Sequence, residues 1–123
     1  MSKKILIAED SSVIQNLSKK ILENQNYIIL SAKNGKEVIA LLSKEPIDLI
    51  LMDINMPQMD GMTCAREIRK SADPVIAKVP IIAITGNARN YSESDFSEAG
   101  FNDFLPKPLD FDRLVELVKT YIA

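Results

Sequence analysis

Five apolar runs of strand length punctuate the chain: KILIAE (4–9), YIILSA (27–32), LILMD (49–53), VPIIAIT (79–85) and the shorter DFLP (103–106). They are continuously apolar instead of alternating, the pattern of strands buried on both faces of a parallel sheet. Between them apolar positions recur at helical spacing. In 12–24, Val13, Ile14, Leu17, Ile21 and Leu22 follow the i, i+3, i+4 rule with Lys19, Lys20 and Glu23 opposite, which predicts an amphipathic helix. Similar spacing predicts helices near 35–44 (Val38, Ile39, Leu41, Leu42), 61–71 (Met62, Ala65, Ile68) and 110–121 (Phe111, Leu114, Leu117, Val118, Tyr121). The segment 92–99, SESDFSEA, has Phe96 as its one large apolar residue and predicts a marginal, mobile helix. The stretch 72–78, ADPVIAK, reads as a loop.

Strict alternation of strand and helix predicts an α/β domain in which five helices flank one doubly wound, five-stranded parallel sheet. Pro106 cannot donate to a ladder, which puts the fifth strand at an edge. With right-handed crossovers, that constraint is compatible with the flavodoxin-like order 2-1-3-4-5. At 123 residues the chain is long enough for one cored domain, 1–123, and too short for two of ordinary size.

Charge and composition narrow the function classes. A formal charge of −2 gives no basic excess to recommend nucleic acid or an anionic membrane as partner. No apolar run reaches the roughly 18 residues of a membrane span, and the start MSKKILIAED has too short an apolar stretch for a signal peptide, so a cytoplasmic protein is expected. The single Cys64 permits no internal disulfide and reads as a small, semi-buried helix residue. With no histidine, the chain offers neither an imidazole metal ligand nor an imidazole base.

In an open parallel sheet, all strand carboxyl ends share one edge, where ligands bind. The first strand ends in Glu9-Asp10, the third in Asp53, the fourth in Thr85 and the fifth at Lys107. Singly, each has an ordinary explanation: a helix cap, a turn, a β-former, a solvated charge. Together, carboxylates about 4 Å apart repel by about 4 kcal/mol per pair at an effective dielectric near 20, so a cation must compensate. Acidic oxygen donors without His or Cys suit Mg²⁺. Lys107 adds a fixed positive charge and the Thr85 hydroxyl a hydrogen-bond donor, which together describe a site for a phosphoryl group. Asp53 at the end of a rigid strand is then a candidate nucleophile for an aspartyl phosphate. Beyond it, Asn55 offers a backbone carbonyl, Pro57 stiffens the loop and Asp60-Gly61 turns into the third helix.

These residues, Glu9-Asp10, DINMPQMDG (53–61), ITGNA (84–88) and LPKP (105–108), resemble the receiver domain of two-component response regulators across essentially the whole chain. The resemblance implies that Asp53 is the phosphoacceptor. It also implies that Asp10, Asp53 and the main-chain oxygen of Asn55 bind Mg²⁺, with Glu9 acting mostly through water, and that Thr85 and Lys107 contact the phosphoryl oxygens. It implies a histidine kinase or histidine phosphotransfer protein as phosphodonor, and a domain that catalyses its own phosphorylation and dephosphorylation without turning over other substrates. Phe104 falls at the family's switch-aromatic position, and the surface of the 92–99 helix, fifth strand and last helix is the implied site for a downstream target. The Lys107–Pro108 peptide is often cis in such domains, and Asn55 and Asn87 would flank the path of attacking water. The ITGNA form inclines toward receivers of phosphorelays and hybrid kinases.

Three rivals share parts of this pattern. A haloacid dehalogenase-type phosphatase needs an acid two residues after its nucleophilic aspartate, where this chain has Asn55. A flavodoxin-like cofactor binder needs neutral donors in its first turn, where this chain has EDSS. A pseudo-receiver acting by contact alone would not require the full set Asp10, Asp53, Thr85 and Lys107.

Overall fold

Alternate residues of the buried strands serve opposite faces of one sheet. The computed structural model describes residues 2–86 and 91–122. The strands are β1 (Lys4–Ala8), β2 (Ile28–Ala32), β3 (Leu49–Asp53), β4 (Ile81–Thr85) and β5 (Asp103–Pro106), all parallel in the order 2-1-3-4-5. Leu6, Ala8, Ile50, Met52, Ile81 and Ala83 point into one core layer, which takes in Val38, Ala65, Ile68 and Phe96. Ile5, Ile7, Leu49, Leu51, Ile82 and Ile84 point into the other, with Leu22, Leu114 and Val118. The first layer is covered by α2 (Gly35–Leu42), α3 (Gly61–Arg69) and α5 (Glu93–Ala99), the second by α1 (Ser12–Glu23) and α6 (Phe111–Ile122).

Among the described residues, a sixth helix corrects the expected count of five. The stretch read as a loop contains α4 (Pro74–Ala77). Asp73 caps it by accepting from the Val75 N–H, and Pro74 has the fixed φ suited to a first helical turn. The Arg69 guanidinium then holds its end. Nη1 donates to the carbonyls of Ala77 and Val79 at 2.9 and 2.7 Å, while Nε and Nη2 reach Gly100 O and Nη2 also reaches Asn102 Oδ1. One side chain thus ties α3 to the start of β4 and to the turn after α5.

The 92–99 helix is better specified than its apolar content suggested. Ser92 and Asp95 form a reciprocal capping box, at 3.2 and 2.8 Å, and Gly100 ends the helix at φ 108°. Phe96 and Ala99 bury its inner face. A second correction concerns α1, where amphipathic spacing alone would turn Val13 and Leu17 toward the core. Val13 is 70% and Leu17 46% exposed, while Gln15 and Ser18 are buried beside Leu22, which turns inward as its spacing predicts. The helix turns this way because Gln15 finds carbonyl acceptors at the strand ends.

Pro106 pairs with Thr85 on the edge strand, as expected. The following N–H, of Lys107, donates to Thr85 O at 2.8 Å, so the donor that proline lacks belongs to the open side of β5. Cys64 is fully buried in α3, and burial pushes its thiol up to about 12, an inert structural position. Among the described residues, no helix is long and apolar enough to cross a membrane.

Candidate functional site

The carboxyl edge of the sheet carries a buried charge cluster. Asp53 ends β3, and the ladder runs one step past it, with the Ile54 N–H donating to Ile84 O at 3.1 Å. The chain then turns through Gln58, whose φ is 66°, and returns so that the Gly61 N–H donates to Ile54 O at 2.8 Å. Gly61 is required for that return, since a Cβ there would lie 2.5 Å from Asp53 O and 2.8 Å from Ile54 Cα. Asp60 caps α3 by accepting from the Thr63 N–H. The loop therefore clamps the main chain that carries the Asp53 carboxylate.

Asp53 and Glu9 are each 2% exposed. Asp53 Oδ1 accepts from the Asn55 N–H at 3.0 Å, and Oδ2 accepts from Lys107 Nζ at 3.0 Å. Lys107 Nζ also lies 3.4 Å from Glu9 Oε2 in an ion pair. Glu9 Oε1 accepts from the Ser11 N–H, whereas the buried Oε2 accepts no hydrogen bond among the described residues. Asp10 is exposed at the rim, and one carboxylate oxygen each from Glu9, Asp10 and Asp53 lie within 4.8 Å of one another. Thr85, 1% exposed, ends β4 on the same edge.

Among the described residues, three carboxylates thus face one ammonium. Burial, then hydrogen bonding and repulsion from Asp53, raise Glu9 from its ordinary 4.5 to about 7. For Lys107, burial works to lower the ammonium pKa, but the contacts with Asp53 and Glu9 prevail and hold it above its ordinary value. An all-oxygen donor set whose buried Glu9 Oε2 is held by an ion pair without a hydrogen bond fits a hard divalent cation, so the residues present suit Mg²⁺.

A pH dependence follows. The folded protein holds a proton on Glu9 that the unfolded chain releases, so this contribution is complete below pH 4.5 and is lost as pH rises through about 7. Urea unfolding of the metal-free protein is expected to show a decline on the order of 2–3 kcal/mol over that window. Glu9→Gln removes this component; an identical pH profile in the variant would refute the assignment.

Glu9, Asp10, Asp53, Asn55, Thr85 and Lys107 all lie at the carboxyl edge of the sheet. Asn55 is in the Asp53 loop with its N–H turned to the carboxylate. Phe104 is half-buried on β5, stacked on Phe96 with ring centroids 5.0 Å apart. Asn87 lies outside the described residues. The Lys107–Pro108 peptide is cis. Sequence reasoning missed Gln15, Arg69 and the close packing of Gly61. The only sequence signal for Gln15 was a polar residue spaced three and seven positions before Ser18 and Leu22.

The model of the response regulator receiver domain family matches residues 5–119. The chain is 37% identical over 121 residues to hybrid signal transduction histidine kinase M of Dictyostelium discoideum, covering 96% of this chain and 5% of that protein. It is 34% identical over 120 residues to the CAI-1 autoinducer sensor kinase/phosphatase CqsS of Vibrio cholerae, covering 98% of this chain and 17% of that one. The chain therefore spans a small part of these relatives. Among solved structures, the receiver domain of sensor histidine kinase PA1611 from Pseudomonas aeruginosa PAO1, with a magnesium ion coordinated in its active-site cleft, superposes with a TM-score of 0.88. It is 32% identical, over 99% of this chain and 98% of that one.

Proposed function

The chain belongs to the response regulator receiver domain family, and from that premise we propose that Asp53 accepts a phosphoryl group from the phosphohistidine of a histidine kinase or histidine phosphotransfer protein, in a Mg²⁺-dependent reaction in the cytoplasm. The observation that carries this reading is Lys107 Nζ, 3.0 Å from Asp53 Oδ2 inside a cluster of three carboxylates. A carboxylate oxygen of Asp53 forms the new bond to phosphorus while the phosphorus–nitrogen bond breaks, and the bonding pair leaves on the imidazole nitrogen. The Lys107 ammonium faces the charge gathering on the phosphoryl oxygens, and the Thr85 hydroxyl would donate to one of them. Glu9, Asp10, Asp53 and the main-chain oxygen of Asn55 would hold Mg²⁺. Bound there, the ion supplies positive charge that offsets the incoming phosphate.

The added phosphate brings roughly two negative charges to the rim, drawing Thr85 inward and biasing the surface of α5, β5 and α6. Phe104 and Phe96 line a cavity of about 280 Å³ there, the candidate site for a downstream target. The donor would approach from the other side. Val13 and Leu17 are exposed one helical turn apart on α1, which begins two residues after Asp10.

Incubation with a small acyl phosphate and Mg²⁺ tests the reading by intact mass and peptide mapping. One phosphoryl group on Asp53, lost on chelating the metal, is expected; modification elsewhere, or none, overturns it. Val13→Ser with Leu17→Ser is expected to slow transfer from a phosphohistidine protein about tenfold, leaving uptake from the acyl phosphate within about twofold, since about 1.4 kcal/mol of lost apolar contact is a factor of ten. Equal losses with both donors would remove α1 from the docking surface.

A further inference from the structure

Gln15 is 8% exposed on the sheet-facing side of α1, while Val13 and Leu17 on the same helix face water. Burying an amide in place of an available apolar side chain costs stability unless its N–H groups find partners. These do. Gln15 Nε2 lies 3.0 Å from Ala32 O, 3.2 Å from Glu9 O and 3.4 Å from Ile7 O. The three acceptors sit at or near the carboxyl ends of β1 and β2, where the parallel ladder stops. Ala32 O is shared, because it also accepts the Glu9 N–H at 3.0 Å. The main chain of Glu9 is therefore held from both sides, by its own N–H to β2 and by its carbonyl to Gln15.

The geometry points to Gln15 as a positioning residue for the acidic rim: its buried amide fixes the end of β1, and so fixes where the Glu9 and Asp10 carboxylates present their oxygens to a divalent cation. This rests on the Mg²⁺-dependent reading of the site given above. Glu9-Asp10 leaves the sheet without a further strand pair to guide it, and only Ser11, which caps α1 through its own hydroxyl, follows before the helix begins. Without the amide, the peptide between the two carboxylates loses its one side-chain anchor at Glu9 O. Groups that orient metal-binding carboxylates commonly contribute a factor of 10–100 in affinity.

Gln15→Met keeps the volume and removes both donors. Mg²⁺ alone, titrated into the full chain and followed by backbone amide NMR, is expected to bind the variant about tenfold more weakly, with a dispersed, folded spectrum retained. In the metal-free variant, hydrogen exchange at the Glu9 amide should quicken more than at Leu51 in the central strand. A variant that binds Mg²⁺ within twofold of wild type makes Gln15 a mere filler of carbonyl acceptors and overturns the proposal, whatever its thermal midpoint. Should Gln15→Met fail to fold, the wild-type side-chain amide decides. Its resonances are expected to shift with the same midpoint as the Glu9 and Asp10 amides, and an unmoved pair overturns the proposal. A wild-type protein indifferent to Mg²⁺ removes the receiver-type site itself, and this inference with it. A wild-type protein that binds the ion while the Gln15 tests fail leaves that site standing.

Discussion

Asp53→Asn is expected to abolish phosphoryl uptake and, in the metal-free protein at pH 8, to raise stability. The first effect follows from removing the proposed nucleophilic oxygen, since an uncharged amide does not attack phosphorus. The second follows from the company Asp53 keeps. It is buried beside Glu9 and Asp10 and, among the described residues, opposed by a single ammonium, so its charge meets two repulsions and one attraction while losing hydration. Asparagine retains an oxygen that can accept the Asn55 N–H and keeps the shape. The expected gain is about 1–2 kcal/mol in urea unfolding. Adding Mg²⁺ should stabilise wild type and do far less for the variant, which narrows or reverses the gap. Continued phosphoryl incorporation in the variant, or a metal-free variant less stable than wild type, contradicts this account of the rim.

Gly61→Ala is expected to cost about 3 kcal/mol and to slow phosphoryl uptake together. The new methyl meets main-chain atoms, Asp53 O at 2.5 Å and Ile54 Cα at 2.8 Å, which cannot rotate aside as a side-chain tip would. Either the Gly61–Ile54 hydrogen bond opens or the end of β3 moves, and both displace the Asp53 carboxylate from Lys107. Gly86→Ala is the control. Among the described residues, a Cβ there has only Lys107 Cδ near it, at 3.9 Å, an ordinary contact, so its stability should stay within about 0.5 kcal/mol of wild type. Thermal midpoints and uptake rates for the pair separate a steric effect at Asp53 from a general cost of adding a methyl. Wild-type stability in Gly61→Ala would show that this loop yields easily.

The strands and the acidic rim were legible because each rests on a local rule. Continuous apolar runs mark strands buried on both faces, and a parallel sheet then collects Glu9, Asp10, Asp53, Thr85 and Lys107 on one edge without any long-range information. What escaped depended on partners distant in sequence. Periodicity ranks residues by hydropathy, so it sent Val13 and Leu17 inward and left Gln15 out, because the carbonyls that repay burial of an amide belong to β1 and β2. Helix α4 is four residues long, below the span over which a period can be read, and it is held by Arg69 from another helix. The firmness of α5 lay in caps and not in apolar content. Arg69, at the end of α3, drew no reading from the sequence. Its five bonds appear only when α4, β4 and the turn at Gly100 are brought around it.

The proline on the fifth strand bears on self-association. An outermost strand exposes unpaired amide and carbonyl groups that can template a strand from a neighbouring copy. At Pro106 the row of outward donors is broken, and at the other end of the same strand the Tyr121 hydroxyl occupies the Asn102 carbonyl and meets the Asp103 carboxylate. The sheet is thus terminated chemically at that border, which disfavours growth by strand addition and leaves side chains, not backbone, to govern how this flank meets other proteins.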